Sequence, residues 1–300
     1  GLADGAGYLL TLSNCVKWFP ERKGLISAFS IGSYGLGSLG FKFIDSHLLA
    51  TVGLEKTFVI WGAIVLVMIV FGATLMKDAP NHPAATAANG VVENDFTLAE
   101  SMRKPQYWML AVMFLTACMS GLYLIGIVKD MGVQLAGMDL ATAANTVSAV
   151  AIFNTAGRII LGTLSDKVGR MRVISFTMLV TVLAIVALSF MTLNHTLFFI
   201  CVGAVAFCFG GNITVFPAIV GDFFGLKNHS KNYGIIYQGF GLGALAGSFV
   251  AKYFGGFHAT FMVIGVLSAA SLLITLFIKA PKGVEAETAE TAQTAELAKA

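Results

Sequence analysis

The chain has 300 residues, of which 57% are hydrophobic and 12% charged, with a mean hydropathy of +0.81 and a net charge of +3. Soluble domains carry roughly a quarter charged residues, so a chain at about half that load needs lipid as its solvent. The basic residues are dispersed, which speaks against a nucleic-acid surface, and the four cysteines sit in apolar runs without CxxC or Cys/His spacing, which speaks against a disulfide framework or a zinc site.

In chain order, apolar runs of about 20 residues, long enough to cross a bilayer as helix, fall at 1–19, 24–45, 57–76, 107–128, 141–164, 173–193, 196–221, 232–254 and 259–278. The chain does not open on Met and begins inside an apolar run, so a truncated start is expected. Lys and Arg collect on the cytoplasmic side of membrane proteins. One alternate set of connectors carries thirteen of them, and the other only Lys42, Lys56, Lys129 and Lys252. This bias predicts a multi-pass protein of the cytoplasmic (inner) membrane with its C-terminus inside.

The longest connector contains Pro80, Pro83, an Ala/Thr/Asn stretch and Glu93–Asp95, and reads as a cytoplasmic linker. The expected organisation is a remainder of an N-terminal six-helix bundle at 1–77, a linker at 78–105, a complete C-terminal six-helix bundle at 106–280 and a disordered Ala/Glu/Thr tail at 281–300.

An internal duplication supports that division. Trp18-Phe19 returns as Phe223-Phe224, Tyr34–Leu39 as Phe240–Leu245, and Thr57-Phe58 with Gly62 as Thr260-Phe261 with Gly265, at offsets of 205, 206 and 203 residues. Three matches in order at nearly one spacing make the first three spans repeats of the last three. The partners of spans four to six are then expected roughly 100 residues upstream, room for three helices. Parallel halves with substrate at their midplane interface are a common carrier design.

Arg158 is the sharpest single residue. It lies eight residues before Asp166, about 12 Å deep at helical rise, with apolar sequence on both sides. Intramembrane arginine faces a bundle interior or a wet cavity, and its planar fork matches a carboxylate; the competing reading is an arginine that snorkels or pairs with a structural acid. Asn154, one turn earlier, could add an amide. Tyr8, Asn212, Tyr237 and Gln238 are further polar groups that could line a cavity, with interhelical hydrogen bonds as the alternative. Asp4 could carry a coupling proton or simply sit at the outer interface. The run Gly162-x-x-x-Asp166-Lys167-x-Gly169-Arg170-x-Arg172 joins one acid to clustered bases at a glycine-bearing turn. That pattern suits an ion-paired latch that breaks and reforms.

These residues resemble the major facilitator superfamily. The Gly162–Arg172 run resembles its cytoplasmic loop motif in the second-half copy. Lys17-Trp18-Phe19-Pro20-Glu21-Arg22-Lys23-Gly24, Asn154–Arg158 through Asp166, and Asn232–Tyr237 resemble the oxalate/formate antiporter family, and within it bacterial pyruvate- or lactate-type carriers. The resemblance implies an all-α fold with nine of twelve membrane helices present, transport by alternating access, no enzyme activity and no cofactor or metal. It places the family's carboxylate-binding arginine on Arg158. The family's second cation, a lysine, falls on Phe240, and its pocket aromatics fall on Phe209 and Ile213. With one cation in place of two, a dianion would keep half its charge unmatched, so a small monocarboxylate is the expected substrate, with protons or a counter-anion as possible co-substrates and a monomer as the expected state. A dicarboxylate/formate exchanger and a non-transporting sensor on a carrier scaffold are the alternatives.

Overall fold

The computed structural model describes residues 2–79 and 95–281, without the side chains of 2–4, 34–40, 42, 43 and 144. Among them there are helices and connectors and no strand. The first helix, α1 (Leu2–Trp18), stops where Pro20 forces the preceding Phe19 out of helical geometry (φ −131°, ψ 66°). A single 3-10 turn (Pro20–Arg22) leads into α2 (Lys23–Leu75), 53 residues long.

Within α2 the backbone reverses at Gly53, whose φ of 79° and ψ of 173° suit glycine and no other residue comfortably. The two arms run back along one another. Phe41 meets Trp61 edge-on at 4.8 Å, and the Trp61 indole donates to the Asp45 carboxylate. At the far end, Asn14 Nδ2 and Trp18 Nε1 donate to the Lys77 carbonyl at 2.9 and 3.3 Å. The expected polar connector at 46–56 is therefore helical on both sides of one residue. Thr51 within it bonds the His47 carbonyl, and Thr57 just beyond it bonds that of Gly53.

A short helix, α3 (Leu98–Arg103), closes the linker behind a capping box. The Thr97 hydroxyl accepts from the Glu100 N–H, and the Glu100 carboxylate accepts from the Thr97 N–H. Asp95 and Phe96 are pinned to the turn at 225–228 and its flanks: Lys227 N donates to the Asp95 carboxylate, Phe96 N to the Phe224 carbonyl, and Asn228 and Asn232 to the Phe96 carbonyl. This end of the predicted linker is thus packed structure. Residues 80–94 and the 282–300 tail lie outside the described residues.

The remaining helices are α4 (Pro105–Ala136), α5 (Leu140–Val168), α6 (Arg170–Phe190), α7 (His195–Phe224), α8 (His229–Phe254) and α9 (Phe257–Phe277). Proline opens α4 and left-handed Gly137 closes it; Asp139 and Asn194 cap α5 and α7. Ile44–Leu75 and each of α4–α9 are long and apolar enough to cross a membrane, seven in all among the described residues. The expected spans at 1–19 and 24–45 run over positions outside the described residues and side chains; α1 covers 17 residues of the first, and the first arm of α2 covers the second.

The centre of the assembly is α7, most of whose residues are buried. Close approach to α5 makes this possible. A Cβ on Gly157 would lie 1.9 Å from the Phe207 carbonyl oxygen, and one on Gly210 would lie 2.0 Å from that of Asn154. Without water to drive association, such backbone contact and interhelical hydrogen bonds hold membrane helices together.

Candidate functional site: a lone guanidinium and an ionic latch

Two polar constellations lie where α1 and α2 meet α5–α8. The first surrounds Arg158 on α5. Its Nη1 donates to the Ile31 carbonyl of α2 at 2.9 Å, while its buried Nε has no hydrogen-bond partner. No ion pair among the described residues includes Arg158. Its electrostatic neighbours are Tyr8 of α1 and Tyr237 of α8. Those two rings stack at 4.7 Å, and Tyr237 stacks in turn on Phe240 at 5.5 Å. The guanidinium thus donates to one backbone carbonyl and lies within electrostatic reach of two stacked tyrosines.

The other expected binding residues lie elsewhere. Asn154 turns to α7 and donates to the Ala206 carbonyl at 3.1 Å. Asn212 accepts from Thr177 of α6 at 2.6 Å. Both amides sit in apolar interhelical seams, where an unbonded amide would be costly. Gln238 is exposed and bonds the Gly234 carbonyl of its own helix. The ring of Phe209 packs over Gly121, and Ile213 lies in the same apolar core. Asp4 lies outside the described side chains.

The second constellation lies at the Asp166 end of α5. The two carboxylate oxygens of Asp166 accept from Gly24 N and Leu25 N, each at 2.9 Å, so this acid caps the first turn of α2. Arg170 Nη1 donates to Asp166 at 2.8 Å and to Ser165 Oγ at 3.1 Å, and its Nε to Asp222 of α7. Lys23 Nζ completes the set, 3.0 Å from Asp222. Two cations balance two anions, and the Lys23, Arg170 and Asp166 side chains are only 6%, 11% and 11% exposed.

Gly162 and Gly24 explain how the helices come so close, because a Cβ on Gly24 would lie 2.2 Å from the Gly162 carbonyl oxygen. Gly169, at φ 99°, makes the turn that brings Arg170 back over Asp166. Lys167 is exposed, and Arg172 bonds the Val168 carbonyl, so both stand outside the cluster. In the sequence Lys23 stands at the end of a short polar turn and Asp222 just beyond an apolar run, with no local pattern to pair them. A signal was available, since Lys23-Gly24 and Gly162–Arg170 are the two motifs that meet here.

Helices of this length and apolarity, packed around a buried α7, define a polytopic helical membrane protein. The chain belongs to the Major Facilitator Superfamily, whose family model matches residues 1–205 and 123–299. It is 68% identical over 245 residues to the uncharacterized MFS-type transporter YhjX of Escherichia coli (strain K12), covering 82% of this chain and 61% of that protein. It is 28% identical to the oxalate:formate antiporter of Oxalobacter formigenes (93% of this chain, 67% of that one) and 26% identical to monocarboxylate transporter 13 of Rattus norvegicus (92% and 66%). The chain therefore spans roughly two thirds of the length of these relatives. Among solved structures, the transporter FucP in its outward conformation shares the fold at a TM-score of 0.66 and 14% identity, over 86% of this chain and 68% of that one.

Proposed function

We propose that this chain forms the larger part of a secondary carrier for small organic anions, foremost a monocarboxylate, that works by alternating access between two six-helix bundles in the inner membrane. The observation that carries the reading is the half-buried Arg158, with an unbonded Nε and no acidic partner among the described residues. A guanidinium in that setting has no counter-charge among the described residues, and a carboxylate arriving at its Nε edge supplies one in the geometry that it fits best. The Nη1 edge is already engaged by the Ile31 carbonyl, which leaves room for one carboxylate rather than two. Tyr8, Tyr237 and Phe240 offer flat apolar walls to the body of the anion.

The Lys23–Asp222–Arg170–Asp166 cluster acts in this reading as the cytoplasmic gate, closed when its ion pairs are made. The positive-inside bias puts this end, and the C-terminus, in the cytoplasm. Opening on that side separates α2 from α5 and α7 and must break these ion pairs.

A dicarboxylate/formate exchange is the second reading, favoured by the 28% identity to the oxalate:formate antiporter. It requires a second cation beyond Arg158, and Phe240 occupies the place that the family resemblance gives to one. The test is uptake of labelled pyruvate, lactate, formate and oxalate by the full-length carrier in proteoliposomes, wild type against Arg158→Ala. Monocarboxylate uptake that depends on Arg158 is the expected outcome. Unchanged uptake in the variant would remove Arg158 from the mechanism, and oxalate exchange outpacing pyruvate would select the second reading.

A further inference from the structure

His229, the first residue of α8, takes no part in either constellation and is fully buried at 0% exposure. Its ring spans three helices. Nε2 lies 2.8 Å from the Pro217 carbonyl of α7, and Nδ1 lies 3.2 Å from Ser13 Oγ of α1. A carbonyl can only accept, so Nε2 carries the proton, and in the neutral ring Nδ1 accepts from the Ser13 hydroxyl. This is a hydrogen bond between α1 and α8, and hence across the plane on which the proposed gate parts.

We propose that His229 is a proton-binding site that biases the gate, neutral when the cytoplasmic end is closed and protonated when it is open. The inference rests on reading the ionic cluster as a gate. Protonation would leave the hydrogen bonds in place, because Ser13 Oγ can accept from an Nδ1–H. What it would add is a unit charge on a ring closed off from solvent. The charged groups that act on the ring are Lys23 of α2, Lys17 of α1 and Asp222 of α7. Lys23 and Asp222 are paired with each other and act on the ring in opposite senses, so burial is what chiefly opposes a charge there, with Lys17 adding to it. The remaining titratable neighbours offer no negative charge: Tyr233 stacks on the ring at 5.9 Å, and Tyr107 of α4 gives its hydroxyl to the Asn232 carbonyl. An imidazolium is therefore tolerated only after α1 leaves α8 and the ring is hydrated.

The sign follows from linkage. The open form binds the extra proton, so the closed form is favoured above the ordinary histidine range and loses ground below it. With one proton involved, the open-to-closed ratio rises up to about tenfold for each pH unit below roughly 6.5.

The experiment uses the full-length carrier in liposomes with spin labels at Glu21→Cys and Lys167→Cys, in a background without native cysteines. Electron–electron distances are read from pH 7.5 to 5.5. The wild type is expected to gain the long-distance population about tenfold per pH unit below roughly 6.5, and His229→Gln is expected to be flat. A wild type without pH response, or a His229→Gln variant with the wild-type slope, overturns the proposal. Ser13→Ala keeps the imidazole and covers the case in which His229→Gln does not fold. It should open more at every pH and keep the slope, and a flat profile there also overturns the proposal. Asp166→Asn separates the two readings. If it leaves the distances at pH 7.5 unchanged, the gate itself is wrong and the proposal falls with it. If it opens the gate while His229→Gln retains the slope, only the role of His229 is wrong.

Discussion

The Arg158 pocket and the Asp166 cluster are built from the same chemistry to opposite effect. At the cluster every charge has an opposite within reach. Lys23 and Arg170 share Asp222, Arg170 also holds Asp166, and both oxygens of Asp166 close the orphan N–H groups at the start of α2. At Arg158 a single cation donates to a carbonyl beside a stacked pair of tyrosines, with no acidic partner among the described residues. Neutral networks hold a conformation, because removal of any member strands a buried charge. An unbalanced cation holds very little by itself, and is kept at a desolvation cost that an incoming anion can offset. The contrast separates residues that define a state from residues that await a ligand.

The largest test of that contrast is Arg158→Ala, expected to reduce monocarboxylate uptake about 100-fold, roughly 3 kcal/mol for a lost charge-assisted contact, while leaving the thermal unfolding midpoint nearly unchanged. Arg158→Lys should recover only part of the activity, since an ammonium cannot present two parallel donors. Asp166→Asn should do the reverse at the cluster. Loss of the charge leaves Arg170 underpaired in a nearly buried site, on the order of 3 kcal/mol against the closed state, read as increased labelling of cysteines placed along α2. A smaller effect is expected for Asn154→Ala, about 1–2 kcal/mol of stability from the stranded Ala206 carbonyl, with no selective change in the KM for any one anion. Gln238→Ala should be silent in both assays.

The smallest effect concerns pH. Asp139 caps α5, and hydrogen bonds from the Thr142 hydroxyl and from the Thr142 and Ala141 N–H groups hold its carboxyl below the usual carboxylate range. A lowered value means that the cap contributes fully above the ordinary aspartate pKa and is lost as pH falls through the lower, folded one. Hydrogen exchange at the first turn of α5 should therefore quicken only in acid. Asp139→Asn should keep the cap and remove that dependence.

Much of this was legible from sequence because it depends on local pattern. Arg158 amid apolar residues, Tyr8 and Tyr237 at mid-span, and the acid–base turn after Gly162 each announce a polar group that lipid would not tolerate. What the pattern lacked was direction and long-range pairing. Asn154 and Arg158 are one turn apart, yet the close approach of Gly157 to Phe207 carries the amide into the α5–α7 seam while the guanidinium faces α2. Lys23 and Asp222 are 199 positions apart, so only the folded chain reveals them as a pair. The reversal at Gly53 was masked by flanking polar residues that read as a loop but bond to their own helix.

The connector between the two groups of helices is fastened at both ends. The Lys77 carbonyl is held by Asn14 and Trp18, and Asp95 and Phe96 are stapled to the α7–α8 turn. Seventeen residues separate the two fastenings along the chain, a covalent length of at most about 60 Å. A connection of that length keeps the two groups from separating altogether without opposing the much shorter excursions of rocking.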